Sequence, residues 1–312
     1  MNRGTKLLLI ASRTLVSHAS FSLVVPLCLI AFFIWVAAYY LVDREQSFTV
    51  QAATQSITVT VTDGPVQVWS LGKSLLCLRH GAEPEVGSKN PKQCEPRFFS
   101  EHEATIDELV WPVGAVLTIA GYDETRLSVA ISLNGASGRA YFGDRVINDQ
   151  SVLFFERNAL RNEGSLALTG KVKLGQPAET GAVRLLRAGK YEIRENLGLS
   201  AGSSVVVSGT LMPGDYAEVT DRMGSGIPTS LFLTQTAVPL SDFEVILTTP
   251  PQNSMLLIKR VGSAVTEIRP TWTDRLVNDA MPLAVSILLG LFGASLGIAK
   301  NLSGTFSSTE NK

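Results

Sequence analysis

Charge of one sign, histidine and cysteine are all scarce in this chain, and each scarcity closes off a class of chemistry. Lys and Arg number 27 against 28 Asp and Glu, for a net charge of -1. No basic stripe with interleaved aromatics is present, so nucleic acid is not expected as a partner. His80 and His102 are the only histidines in the central part of the chain, which leaves a histidine-centred triad poorly supported. No glycine loop cradles phosphate, because Gly224-Ser-Gly226 lacks the following Lys and helix. The middle of the chain also lacks a long amphipathic helical pattern. No metal, cofactor or catalytic set is expected.

Two uncharged apolar stretches stand near the ends. Phe21–Val42 is long enough to cross a hydrocarbon core of ~30 Å as a helix, and a cleaved signal peptide with Ala37-Ala38 as cleavage site is the competing reading. Ala280–Ala299 sits at about the minimum spanning length. Its Ser286, Gly290, Gly293, Ala294 and Gly297 repeat at a four-residue spacing that lets helix backbones approach closely. Arg3, Lys6 and Arg13 precede the first stretch without any acidic residue. Basic residues favour the inner side, so both termini are expected in the cytoplasm, with Tyr39, Tyr40 and Trp272 as aromatic anchors at the outer interface. The expected organisation is a cytoplasmic segment over 1–20, a transmembrane helix over 21–42, a first β unit over 47–133, a second over 134–270, a second transmembrane helix over 278–299 and a cytoplasmic tail over 300–312.

Cys77 and Cys94 flank a polar loop; Cys28 lies in the first apolar stretch. In an oxidising compartment the first two would pair, and closing such a loop contributes ~3 kcal/mol by the chain-entropy argument. Free thiols, or zinc held by Cys77, His80, Cys94 and His102, are the alternatives.

From Phe48 onward the pattern is strand-like. Ser56–Thr62, Val113–Ala120, Leu127–Leu133, Leu166–Leu174 and Ser204–Leu211 are short and rich in β-branched residues. Leu166–Leu174 alternates apolar and polar residues, which is strand periodicity. Turn signals fall at Asp63-Gly64-Pro65, Asn134-Gly135, Glu163-Gly164, Ala188-Gly189-Lys190 and Pro213-Gly214-Asp215, and Asn134-Gly135 between strands suits a tight hairpin, since both residues tolerate positive φ. An all-β sandwich or barrel fits, either as two β units or as one domain with a stapled insertion.

Ser70-Leu-Gly-Lys73 matches the S-x-x-K nucleophile motif, which requires the serine at a helix start; here it falls in a strand-like run. Ser208-Gly-Thr-Leu-Met-Pro-Gly-Asp215 and Leu257-Ile-Lys-Arg-Val-Gly262 resemble the Ser and Lys boxes of type I signal peptidases. That resemblance implies a lysine, Lys259, taking the proton of a hydroxyl nucleophile, but Thr210 occupies the nucleophile position and the Gly-Leu-Pro-Gly-Asp that follows the family's Lys box is missing. Asp123, Glu124, Asp144, Asp215 and Asp221 are scattered in turn-like settings, and Trp69 and Trp111 are candidates for stacking on a sugar. The preferred expectation is a non-enzymatic, double-pass protein of a cell inner membrane. Its β domain, periplasmic or extracellular, would dock onto other envelope membrane proteins or onto copies of itself. A glycan- or peptide-binding envelope module is the alternative, and a Ser/Thr–Lys hydrolase comes third.

Overall fold

The computed structural model describes residues 44–278 apart from 66–67, 81–93, 163–165, 176–184, 197–202, 235–241 and 261, and in addition Phe32, Ile34, Ile287 and Gly290. The first half contains β1 (Gln46–Thr54), β2 (Ser56–Val61), β3 (Gly72–Arg79), β4 (Phe99–Ile106), β5 (Val116–Gly121), β6 (Arg126–Ser132), β7 (Tyr141–Phe142), β8 (Arg145–Val146) and β9 (Val152–Glu156). A short helix α1 (Asn158–Asn162) leads to β10 (Leu166–Leu174), β11 (Leu186–Asn196), β12 (Ser203–Leu211), β13 (Tyr216–Asp221) and β14 (Pro228–Thr234). The chain continues through β15 (Phe243–Thr248), β16 (Ser254–Lys259), β17 (Thr266–Ile268) and helix α2 (Trp272–Asn278).

Alternation of side chains is what turns these segments into one sheet. Along β1, Phe48, Val50 and Ala52 are buried while Thr49, Gln51 and Ala53 between them are half-buried. A strand with that period buries one face and leaves the other to solvent. The sheet runs in the order β12-β11-β1-β15-β14-β10-β2-β5-β6-β9-β3-β4, with β13, β16 and β17 branching from β10. Among the described residues this path does not close on itself. β10 is the crossing point: it pairs with β14 over Leu166–Lys171 and with β2 over Gly170–Leu174. Strands on both sides of position 133 share the sheet, since β9 lies between β6 and β3.

The buried faces meet in one apolar cluster that draws on both ends of the path, from Phe48 and Val50 to Leu117, Leu153 and Leu247. At its centre Trp69 packs edge-on against Trp111 with ring centroids 5.6 Å apart, and Phe155 lies beside it. The Trp69 indole N–H donates to the Ala167 carbonyl at 2.8 Å, which satisfies the one polar atom of a buried indole. A smaller cluster on the other face collects Cys77, Cys94 and Phe154, with Leu75, Phe99 and Tyr122 against them. Cys77 and Cys94 form a disulfide with their Cα atoms 5.3 Å apart. The zinc alternative falls with that bond, since a thiol in a disulfide is no metal ligand.

Three expectations need correction. Ala188-Gly189-Lys190 is not a turn but the middle of β11, where Gly189 faces Ala52 of β1. A Cβ on Gly189 would stand 2.9 Å from the Gln51 carbonyl oxygen, so glycine serves a close approach of backbones. Asn134-Gly135 does form a tight turn, with Ala136 N–H donating to the Leu133 carbonyl. It does not close a hairpin, because β6 pairs with β5 and β9 instead.

The third correction concerns the membrane. Among the described residues no helix is long and apolar enough to cross one. Helix α1 has five residues and α2 seven, so α2 reaches about 10 Å against the ~30 Å of a hydrocarbon core. The stretches 21–42 and 280–299 lie outside the described residues except at Phe32, Ile34, Ile287 and Gly290, which are helical. The double-pass architecture, the bilayer and envelope membrane proteins as partners, and the inner-membrane placement with cytoplasmic termini are therefore not supported. Tyr39, Tyr40, Ser286, Gly293, Ala294 and Gly297 also lie outside the described residues.

Candidate functional site

The sheet path ends at β12 and at β4. A terminal strand turns every second backbone N–H and C=O away from its neighbour, and such a row can accept another strand. On β4 the exposed side chains include Glu101 and Glu103, and Ser100 lies 3.2 Å from the His102 ring. β12 reads SSVVVSGTL, with no charge and no proline, and exposes Ser203, Val205, Ser208 and Thr210. β12 thus lacks two of the devices that ordinarily discourage strand addition, charge and proline.

β12 is held in place from two sides. It pairs with β11 in antiparallel register, Gly209 opposite Tyr191 and Thr210 opposite Lys190, with an irregularity between Ile193 and Arg194 that leaves Val206 as the extra residue. Tyr191 lies across Gly209 so closely that a Cβ there would overlap the phenol ring. Burial raises the pKa of that phenol, and the nearby Arg260 guanidinium only partly offsets it. Pro213 and Gly214 then turn the chain toward β13: Gly214 has φ 85° and Asp215 N–H donates to the Met212 carbonyl at 3.0 Å. Proline followed by glycine at positive φ is the type II turn chemistry.

Helix α2 packs on the other side. Thr271 and Asp274 cap its start reciprocally, Thr271 N–H donating to Asp274 Oδ2 at 2.8 Å and Asp274 N–H to Thr271 Oγ1 at 3.2 Å. One turn on, Arg275 Nε and Nη2 donate to the two Glu195 carboxylate oxygens at 2.9 and 3.0 Å. The two side chains are only 5% and 0% exposed. A buried charge is tolerated when paired in this two-pronged way. Asn278 Nδ2 donates to the Val206 carbonyl at 3.0 Å, so α2 takes up an acceptor of the β12 backbone at mid-strand. Beyond it Ser208–Leu211 has no strand on its far side among the described residues.

The sequence-derived candidates fall elsewhere or in different roles. Ser70 precedes β3 and Lys73 lies on it, so the helix that S-x-x-K chemistry needs is replaced by strand. Thr210 sits exposed on β12 and Lys259 part-exposed on β16 opposite Tyr216; the fully desolvated lysine of the Ser/Lys pair is not realised. Asp215 is a buried turn residue that accepts from Met212 N–H and from Arg260. Tyr216 donates to Glu218 at 2.6 Å, and burial together with that carboxylate holds its hydroxyl protonated far above the usual tyrosine range. Asp123 and Asp221 shape hairpin turns through bonds from Thr125 and Arg126 and from Met223 and Ser225. Trp69 and Trp111 belong to the core and offer no stacking face. Trp272, expected at a lipid interface, stands 55% exposed on α2. Among the described residues no group of three or more His, Cys, Asp or Glu could hold a metal ion.

The β12 edge was missed as a site because nothing in SSVVVSGTL marks a strand as terminal. The neutral run itself was the available signal. No family model, curated protein or solved structure matches this chain.

Proposed function

We propose that the described β body is a non-enzymatic binding domain that takes up an extended segment of another protein along Ser208–Leu211 of β12. The observation that carries this reading is the contrast between an acidic terminal strand and a neutral one whose Val206 carbonyl is taken up by α2. Main-chain hydrogen bonds would supply the affinity, and side chains beside the edge the selectivity. The disulfide supports the same role by stiffening the opposite end of the sheet, and such a bond persists in oxidising surroundings.

The test is a library of immobilised extended peptides probed with the full chain. Retention of a subset of neutral peptides is expected, together with slower amide exchange at 208–211 in the bound state. Ser208→Lys and Thr210→Lys, both at exposed positions, should abolish that retention while leaving the thermal unfolding transition in place. Retention of no peptide, or equal retention by both variants, would refute the reading.

A further inference from the structure

Helix α2 is docked without burying an apolar side chain. Of its seven residues Arg275 is the one that is buried, while Trp272, Leu276 and Val277 are exposed, Val277 by 81%. A helix in a globular protein draws most of its stability from an apolar face packed on its neighbours, and one this short does not persist alone in water. What holds α2 to β11 and β12 is the two-pronged Arg275–Glu195 pair and the bond from Asn278 Nδ2 to the Val206 carbonyl. Desolvation of both charges offsets much of the attraction in a buried ion pair. The attachment is therefore weak beside the apolar packing of the sheet.

The floor under Arg275 is polar as well. Glu195 stands opposite Ser204 of β12 and Gln46 of β1, and Gln46 stands opposite Gln252. Directly opposed residues of antiparallel strands share a face, so Ser204, Glu195, Gln46 and Gln252 make one row across the sheet. Ser204 Oγ, Gln46 Oε1 and Gln252 Nε2 are buried and accept or donate no hydrogen bond among the described residues. Polar atoms in that condition disfavour the packed state. Lifting α2 uncovers this row, not the apolar core, and so costs little in hydrophobic contact.

Resting on the strand-uptake reading, we infer that α2 is a detachable latch that regulates how far a bound segment extends along β12. Docked, Asn278 holds the Val206 carbonyl and confines pairing to Ser208–Leu211. A segment that continues past Ser208 competes with Asn278 for that carbonyl and lifts the helix as a unit, with the sheet left intact. Coupling of this kind is reciprocal: whatever holds α2 down weakens a long segment, and a long segment loosens α2.

Amide exchange and fluorescence anisotropy on the full chain test this with two labelled, neutral Thr-Val peptides, one of four residues and one of eight. In the free chain the α2 amides should exchange through a local opening whose rate barely changes in dilute urea, while β1 and β11 exchange only on global unfolding. The eight-residue peptide is expected to bind roughly fivefold tighter than the four-residue one, the net of added main-chain bonds and a displaced helix. It should also speed exchange in α2, which the four-residue peptide should leave as it is. Asn278→Ala should tighten the eight-residue peptide by roughly another fivefold, the worth of the one bond removed, and leave the four-residue peptide unchanged. Arg275→Lys, which keeps the charge and loses the fork, should act in the same direction. Exchange of α2 only in step with β11, slower α2 exchange on binding the long peptide, or unchanged affinities in both variants would overturn the latch and leave strand uptake standing. Binding of neither peptide would overturn strand uptake, and the latch's control over it as well.

Discussion

At β4 the sheet ends in a strand that carries Glu101 and Glu103 outward and is tied down by the Cys77–Cys94 bond through its neighbour β3. At β12 it ends in a strand without charge, tied down by a helix whose own attachment is a buried ion pair. Both ends face the same hazard, an unpaired backbone row that invites other chains. The first answers it with repulsion, since a second copy of β4 would bring carboxylates together. The second answers it with partial cover and, among the described residues, leaves Ser208–Leu211 without a neighbouring strand. Charge protects an edge without shaping it, whereas a helix laid against an edge also decides how much of it a partner can reach.

The largest effect is expected at the helix. Arg275→Met strands the Glu195 carboxylate in the interior, and loss of one partner of such a pair costs about 3–5 kcal/mol. Chemical denaturation should show that loss, and amide exchange should accelerate selectively over Ser203–Leu211. Equal acceleration at β4 would mean that α2 does not hold the β12 edge in particular. Replacing Cys77 and Cys94 by Ser should cost about 3 kcal/mol and loosen β3 and β4 while sparing β12. At the acidic edge, Glu101→Gln with Glu103→Gln should change stability by less than about 0.5 kcal/mol. Sedimentation at rising concentration should nevertheless reveal new self-association, absent in the parent. The smallest effect serves as a control between the edges. Burial pushes the Asp123 carboxyl up, but hydrogen bonds from Thr125 and Arg126 outweigh it and hold its pKa below the ordinary 3.8. Its contribution is thus fully present above that ordinary value and is lost as pH falls through the lower folded value. Asp123→Asn should flatten that acid limb slightly and leave exchange at β12 and β4 alone.

Much of the sheet can be read without coordinates. Leu166–Leu174 is a strand over its whole alternating run, and Ser204–Leu211 begins one residue early, at Ser203. Both succeed because a period of two survives in any sheet with one buried face. Gly189 misled because glycine marks turns and close backbone contacts alike, and only the neighbouring Gln51 carbonyl distinguishes them. Trp69 and Trp111 give no local sign of being core rather than surface. The two apolar end stretches suggested an architecture that the described helices do not supply. The site was the least legible part: Arg275 and Glu195 stand 80 residues apart, and no periodicity links an acid in a strand to a base in a later helix.

Strand periodicity and the turn chemistry at Pro213-Gly214 were decided by the order of residues alone, since each depends on neighbours a few positions away. Which strands became terminal, and which terminal strand came to lie beside helix α2, was decided by the tertiary structure. A strand has an open side only relative to everything that pairs with it, and here β1, β11 and β15 are drawn together across some two hundred residues of chain.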